Sequence, residues 1–133
     1  MSLEAKIRKV EEFHEVFGLQ YCKSPTAGIE DRIIELRHRL MQEENDEYLE
    51  ACRQQDLTLI ADALGDKLYI LLGTIIAHGL QDKIGDVFDE IHRSNMSKLD
   101  DNGKPIYRED GKIMKSNNYF LPDIRSILVA ENS

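Results

Sequence analysis

Residues 56–79, DLTLIADALGDKLYILLGTIIAHG, include the longest apolar run of the chain, LYILLGTIIA at 68–77. This run is far shorter than the ~20 residues that span a bilayer, so we expect a buried helix and no membrane association. Asp56 can cap the helix at its start, and Gly79 can end it after His78. The sequence therefore predicts this helix as the central element of the fold.

Three more helices are predicted around it. The first follows an apolar three- and four-residue spacing and stops at Gly18, after which residues 19–28 carry Pro25 and Gly28 and should connect without regular structure. The fourth should bury one face, formed by Ile84, Val87, Phe88, Ile91 and Met96. The predicted bounds are Leu3 to Phe17 for the first helix, Ile29 to Gln55 for the second and Gln81 to Leu99 for the fourth. We therefore predict an all-α fold, an antiparallel bundle of about four helices.

The composition changes after the fourth helix. Residues 100–116, DDNGKPIYREDGKIMKS, contain two β-compatible pieces, KPIY and KIMK, around a turn at Gly111. The closing stretch at 118–129, NYFLPDIRSILV, has enough apolar residues to dock on the body or on a second subunit. We predict a tail that contains a hairpin, and one domain over residues 1–133.

The charge balance limits the class of partner. The 17 basic and 25 acidic residues give a net charge of -8 and a pI near 5.0. A nucleic-acid polymer needs a basic footprint, so it is not expected as a partner, whereas a small phosphate ligand can bind through a cation. Cys22 and Cys52 lack C-x-x-C spacing, and the N-terminal stretch lacks the apolar core of a signal peptide. Both features favour reduced thiols in a cytoplasmic protein.

The second helix is predicted to turn an apolar stripe inward, formed by Ile29, Ile33, Leu36 and Leu40, and acidic residues interrupt this stripe. Seven residues after Leu36 and Leu40 lie Glu43 and Glu47, with Glu44 beside them. Burying an unpaired carboxylate costs several kcal/mol unless its charge is neutralised. A bound cation would supply that neutralisation.

The central helix repeats this feature with Asp62 and Asp66, one turn apart among apolar neighbours. Antiparallel packing would bring this pair against the acids of the second helix. Such carboxylates suit Mg²⁺ or Mn²⁺ and, without His or Cys, suit zinc poorly. The alternative is that EENDEYLEA at 43–51 is an ordinary charged helix surface. A second acid pair inside an apolar helix favours the metal site.

The two acidic groups resemble the signature of the all-α nucleotide pyrophosphohydrolases, which include MazG-like enzymes, phosphoribosyl-ATP pyrophosphohydrolase and dimeric dUTPases. Their signature is E-E-x-x-E on one helix and E-x-x-D on the next. Glu43, Glu44 and Glu47 match the first half, and Asp66 matches the final Asp. Ala63 stands where the second half has Glu, and Asp62 lies one residue earlier, about 100° around the helix.

The resemblance extends over nearly the whole chain, including VEEFHEVFG, ADALGDKLYILLGT and HRSNMSKLDDNGKPIYREDGKIMKSNNYFLPDI. It implies a homodimer or homotetramer with sites near subunit interfaces. It also implies Mg²⁺-dependent hydrolysis of an NTP or dNTP to NMP and pyrophosphate. Glu43 would be either a metal ligand or the general base.

The same resemblance implies that Asn95 and Lys98, in an N-x-x-K pattern, bind the metal shell or the phosphates. They also continue the face of Ile91, although a polar helix end is an equally good interpretation without the family. In the tail, Lys112 and Lys115 could bring positive charge to a triphosphate, with ordinary surface lysine as the alternative. The remaining candidates are Phe13, His14 and Tyr119, which could stack on a base or belong to the core, and Lys104 and Arg108, which we interpret as surface residues.

The residues are also compatible with two other functions. Glu35-x-x-His38 resembles half of a di-iron E-x-x-H pattern, and Asp89-x-x-His92 is a near match, but no second true E-x-x-H exists. The second alternative is a catalytically weakened helical module that binds nucleotide or dimerises. Ala63, in place of the signature Glu, is the residue that keeps this alternative open.

Overall fold

The computed structural model describes residues 2–130, which form two compact units divided between Asp82 and Lys83. These residues are mostly helical. The first unit contains α1 (Leu3–Val16), α2 (Asp31–Arg53) and α3 (Leu57–Ala77), and the second contains α4 (Ile84–Met96), β1 (Ile106–Tyr107), β2 (Ile113–Met114) and α5 (Ile124–Val129). The all-α prediction is confirmed. The four-helix arrangement and the single domain stay predictions.

The helix ends follow the predicted signals. The Asp56 side chain accepts a hydrogen bond from the Leu59 amide at 3.2 Å and so caps α3. Gly18 and Gly79 take positive φ of 67° and 69° just after α1 and α3. The second helix ends two residues earlier than expected, at Arg53, because Gln55 turns to a φ of 54°. It also begins later, at Asp31, and α4 begins at Ile84 because residues 81–83 form a turn.

In the first unit, α2 and α3 are antiparallel. Arg37, early in α2, contacts Ile70 and Thr74 late in α3, whereas Asn45 contacts Lys67 nearer the start of α3. The connector lacks regular structure, as predicted. Its backbone binds the C-terminal end of α3, since the Cys22 amide donates to the Ile76 carbonyl at 3.0 Å and the Thr26 amide to the His78 carbonyl at 2.8 Å. The apolar core of this unit consists of Ile7, Val10, Ile33, Ala51, Ala63, Leu72, Ile76 and Ala77.

In the second unit, the predicted hairpin is confirmed, with Ile106 paired to Met114 and Tyr107 to Ile113 in antiparallel register. The helix α5 docks on α4, and the sequence did not reveal this helix. The predicted buried face of α4 is wrong for Phe88, Ile91 and Met96, which are exposed, whereas Ile84 and Val87 are half-buried.

Every helix within residues 2–130 is too short or too polar to cross a bilayer. Cys22 and Cys52 are free thiols.

Candidate metal centre

Three carboxylates meet between α2 and α3. Glu44 and Glu47, one turn apart on α2, and Asp66 on α3 each offer an oxygen, and these oxygens all lie within 4.8 Å of one another. The antiparallel contact of α2 with α3 produces this group, which we call the carboxylate cluster. The second-helix and central-helix acids are thus brought together, and their role as metal ligands stays a prediction.

Glu44 is the most confined member of the carboxylate cluster. Its Oε2 atom is buried and accepts no hydrogen bond from the described residues. Burial first, and then the charges of Glu47, Asp66 and Asp62, raise the pKa of the Glu44 carboxyl above its ordinary value. A buried carboxylate oxygen without a donor, surrounded by other acids, is a setting that a divalent cation satisfies. The donor set therefore fits Mg²⁺ or Mn²⁺.

Asp62 lies outside the carboxylate cluster but close to it. With Glu47 it lines a cavity of about 210 Å³ at the end of the α2–α3 pair. The buried side chain of Ala63 forms part of the same wall. The cavity therefore adjoins the position at which the family signature carries a longer, acidic side chain.

Glu43 is exposed on α2 and does not belong to the carboxylate cluster. It precedes Glu44 and lies one turn before Glu47, on the same side of the helix. This placement leaves its carboxylate in contact with solvent, where it can accept a proton from water. The choice between ligand and base stays a prediction.

Asn95 and Lys98 lie at the end of α4 and just beyond it, and Asn95 is exposed. Within residues 2–130, neither side chain makes a hydrogen bond to the protein, so both can bind an external group. They do not continue a buried face as expected, because Ile91 itself is exposed. Their assignment to phosphate stays a prediction.

The sequence did not identify Ser94 and Ser97 as the residues that hold the tail against α4. Ser94 Oγ donates to the Phe120 carbonyl at 2.8 Å, and the Phe120 amide donates to Ser97 Oγ at 3.1 Å. Ser116 Oγ also donates to the Ser97 carbonyl at 3.1 Å. The only sequence signal was a pair of hydroxyl residues, three positions apart, at the end of a predicted helix. These contacts fix the course of the chain that follows Asn95 and Lys98.

The tail candidates differ in their surroundings. Lys112 is exposed on the hairpin, whereas the Lys115 ammonium lies 4.7 Å from the centre of the Tyr119 ring. This cation–π contact occupies one face of Tyr119, which leaves less of the ring for a base. Arg108 pairs with Asp110 of the same turn at 2.9 Å, which agrees with its interpretation as a surface residue.

The di-iron alternative gains no support from the described residues. Glu35 and His38 are exposed on α2, and the carboxylate cluster contains no histidine.

Comparison with known proteins yields one family. A family model described as phosphoribosyl-ATP pyrophosphohydrolase matches residues 10–95, nearly two thirds of the chain, and this span includes all three residues of the carboxylate cluster. A search of curated proteins finds no match. The family match supports a pyrophosphohydrolase that acts on nucleoside-triphosphate-like substrates. The chain belongs to the phosphoribosyl-ATP pyrophosphohydrolase family.

Proposed function

We propose that the protein is a Mg²⁺-dependent nucleoside triphosphate pyrophosphohydrolase that converts an NTP or dNTP to NMP and pyrophosphate. The observation that carries this proposal is the carboxylate cluster, in which the Oε2 atom of Glu44 is buried and has no hydrogen-bond partner among the described residues. The fold, the family match and the chemistry of the donor set support the same class of reaction. Mn²⁺ has the same preference for oxygen ligands and would replace Mg²⁺.

Glu44, Glu47 and Asp66 would hold the cation, with Asp62 as the nearest further carboxylate. When bound, Mg²⁺ supplies positive charge for the phosphate oxygens and makes the attacking water more acidic. Glu43 takes the proton from that water as its oxygen attacks the α-phosphorus. The bond from this phosphorus to the bridging oxygen breaks, and the products are NMP and pyrophosphate.

The substrate phosphates need hydrogen-bond donors and positive charge, which carboxylates do not supply. We assign phosphate binding to Asn95 at the end of α4, to Lys98 just beyond it, and to Lys112 and Lys115 of the hairpin region. Their side chains can donate to phosphate oxygens, and ammonium groups form charge-assisted hydrogen bonds with phosphate. In a chain with a net charge of -8, such local cations would offset the repulsion that a triphosphate meets.

We further propose that the protein is a homodimer or homotetramer and works in the cytoplasm. Support for assembly comes from α3, which exposes Leu57, Leu64, Leu68 and Leu71 at spacings of seven, four and three residues. This is the spacing of a helix-packing seam, and all four side chains are exposed. Leu68→Glu should give monomers in analytical ultracentrifugation, whereas Val129→Glu, which is also exposed, should leave the mass unchanged.

Product analysis tests the reaction. Purified protein is incubated with each NTP and dNTP in the presence of Mg²⁺, and the products are separated by anion-exchange chromatography and identified by ³¹P NMR. We expect NMP and pyrophosphate in equal amounts. Release of NDP and inorganic phosphate would refute the assigned bond.

A second function is favoured by one observation, the presence of Ala63 in place of the signature Glu. A chain that lacks this carboxylate could be a weakened module that binds nucleotide or only dimerises. Equilibrium dialysis with a nucleotide would then show binding without turnover. Measurable turnover that disappears in Glu47→Ala and Asp66→Ala would dismiss this alternative.

A further inference from the structure

Residues 116–130, which we call the strap, run back along α4. Each contact of the strap with α4 or its end residues lies nearer the start of the helix than the contact before it. The pairs, with the strap residue first, are Ser116 with Ser97, Phe120 with Ser94, Asp123 with Glu90, and Ala130 with Lys83. The four α4 positions are separated by three, four and seven residues, so they share one face of the helix. The strap is therefore antiparallel to α4 and covers a single face of it.

Glu90 carries the negative charge of this face. Its side chain is only 10% exposed, and its carboxylate accepts hydrogen bonds from the Asp123 amide at 2.6 Å and from Arg93 Nε at 2.8 Å. The contact with Arg93, and then the Asp123 amide, lower the pKa of the Glu90 carboxyl below its ordinary value. The carboxylate is thus charged at neutral pH, and both hydrogen bonds are charge-assisted.

Arg93 extends the contact from Glu90 to the middle of the strap. Its guanidinium carbon lies 4.3 Å from the centre of the Phe120 ring, within the range of a cation–π interaction. Glu90 fixes the orientation of this guanidinium through two of its N–H groups. Glu90 therefore holds the strap at two points, directly at Asp123 and through Arg93 at Phe120.

The strap determines where the hairpin returns to α4. The chain leaves α4 after Ser97 and comes back at Ser116, whose Oγ atom donates to the Ser97 carbonyl at 3.1 Å. Lys98 and Lys115 are the sequence neighbours of these two residues, and consecutive Cα atoms are only about 3.8 Å apart. The contact between the two serines therefore brings Lys98 and Lys115 together at the base of the hairpin.

Two ammonium groups held close together repel each other, and they would separate if the strap left α4. A loop that must be ordered when its ligand binds lowers the affinity by the cost of that ordering, whereas a loop that is already fixed does not. Holding Lys98 and Lys115 in place before the ligand arrives should therefore tighten the binding of a phosphate chain that contacts both.

We infer that Glu90 is a positioning residue, which holds the strap on α4 and thereby keeps Lys98 and Lys115 together for the phosphates of the substrate. The inference rests on the proposed function. Glu90 does not itself bind the substrate, because its carboxylate is already occupied by the Asp123 amide and Arg93.

Glu90→Gln tests whether Glu90 holds the strap. The measurement is native-state hydrogen exchange of the Phe120 amide by NMR, because this amide binds Ser97 Oγ and not Glu90 and so reports on the strap as a whole. We expect it to exchange about tenfold faster in the variant than in the wild-type protein. The amide of Leu72, which is buried in α3, should exchange at the wild-type rate.

Calorimetric titration with pyrophosphate in the presence of Mg²⁺ tests the effect on phosphate binding, and it requires no turnover. We expect the Kd of Glu90→Gln to rise about tenfold, as it would if the strap were docked in about a tenth of the molecules. With ATP as substrate, KM should rise by a similar factor. The kcat should stay within about twofold of the wild-type value, because the carboxylate cluster is unaltered.

Three further variants separate positioning from other effects. Asp89→Asn, at the exposed acid beside Glu90, should change neither the exchange of Phe120 nor the binding of pyrophosphate. Lys98→Met should weaken pyrophosphate binding and leave the exchange of Phe120 unchanged. Arg93→Gln should fold normally, since the Arg93 side chain is 65% exposed, and should reproduce both changes seen in Glu90→Gln.

Two results would overturn the positioning role. Wild-type exchange of the Phe120 amide in Glu90→Gln would show that Glu90 does not hold the strap. Faster exchange with an unchanged Kd for pyrophosphate would show that the strap does not position the phosphate-binding residues. A wild-type protein that neither binds pyrophosphate nor turns over nucleotide is a different result, which would refute the proposed function and the positioning role with it.

Discussion

The guanidinium of Arg37 lies directly above the backbone of Gly73, in space that only a glycine leaves open. A Cβ atom at residue 73 would come 2.5 Å from Arg37 Nη2 and 3.0 Å from His14 Nε2. Arg37 is only 8% exposed, and it donates to the Ile70 carbonyl at 2.9 Å and to Thr74 Oγ1 at 3.1 Å. This buried polar contact joins α1, α2 and α3 on the C-terminal side of the carboxylate cluster along α3.

Gly73→Ala should lower the free energy of unfolding by about 1–3 kcal/mol. The added methyl group displaces the Arg37 guanidinium from its buried acceptors, and this cost exceeds the gain in helix propensity of about 1 kcal/mol. Urea denaturation followed by circular dichroism measures the difference. Gly65→Ala is the matched control on α3, since nothing lies within 4 Å of its added Cβ, and it should stabilise the protein. Equal effects of the two substitutions would show that Gly73 is not needed for packing.

Stability should fall as the pH is lowered from 7.5 to 5.5. Burial is the main cause that lowers the pKa of His14 below 6.5; the Gln20 carbonyl opposes this shift, and the Arg37 charge adds to it. The unfolded chain therefore binds a proton at His14 more readily than the folded chain does. As a result, the free energy of unfolding falls by at most about 1.4 kcal/mol for each pH unit of acidification. Denaturation midpoints at several pH values measure this slope.

His14→Gln should reduce the slope, whereas His38→Gln, at an exposed residue of α2, should retain it. An unchanged slope in His14→Gln would assign the acid sensitivity to other groups.

Much of the first unit could be predicted from the sequence, because its signals are local. Asp56, Gly18 and Gly79 mark helix ends by their own chemistry, and the acids stand out against a helical apolar stripe. Arg37 could not be predicted, since its acceptors lie more than 30 residues away on another helix. A charged residue four positions after Ile33 has the pattern of a solvated position until α3 supplies the carbonyl that binds it.

The second unit was predicted less well for the same physical reason. The turn at Gly111 is a local signal, and the hairpin followed from it. The apolar spacing of α4 predicted a buried face, but a spacing does not specify what covers it, and Phe88 is exposed. The docking of the tail depends on hydroxyl groups of Ser94 and Ser97 that meet backbone atoms over 20 residues away.

Glu44→Gln should stabilise the metal-free protein at neutral pH and abolish its stabilisation by Mg²⁺. Burial and neighbouring acids raise the pKa of Glu44 in the folded protein. The charge of Glu44 therefore opposes folding once the pH rises above the pKa that this carboxyl has in the unfolded chain. Mg²⁺ at 100 times its Kd should stabilise the wild-type protein by about 2.7 kcal/mol. Thermal melts in Mg²⁺ and in EDTA measure both effects. If Mg²⁺ stabilises the variant as much as it stabilises the wild-type protein, the cation binds elsewhere.

Ala63→Glu should restore a carboxylate to the metal site and tighten Mg²⁺ binding about tenfold. Ala63 is buried beside the 210 Å³ cavity, which can accept the longer side chain, and it lies three residues before Asp66. Calorimetric titration with Mg²⁺ measures the affinity.

Asp62→Ala provides the complementary variant for that titration. If Asp62 supplies the fourth carboxylate, its loss weakens Mg²⁺ binding, and adding Ala63→Glu recovers it. Unaltered binding in Asp62→Ala would remove Asp62 from the metal site.

The most direct test of the carboxylate cluster is the binding of Mn²⁺, measured as loss of the free-ion signal in electron paramagnetic resonance. We predict that the wild-type protein and Glu35→Gln, altered at an exposed acid of α2, bind Mn²⁺ alike, and that Glu47→Gln and Asp66→Asn bind it at least about tenfold more weakly. Turnover of nucleoside triphosphate should fall in the same two variants. Equal Mn²⁺ affinity in all four proteins would contradict the assignment of the carboxylate cluster as the metal centre.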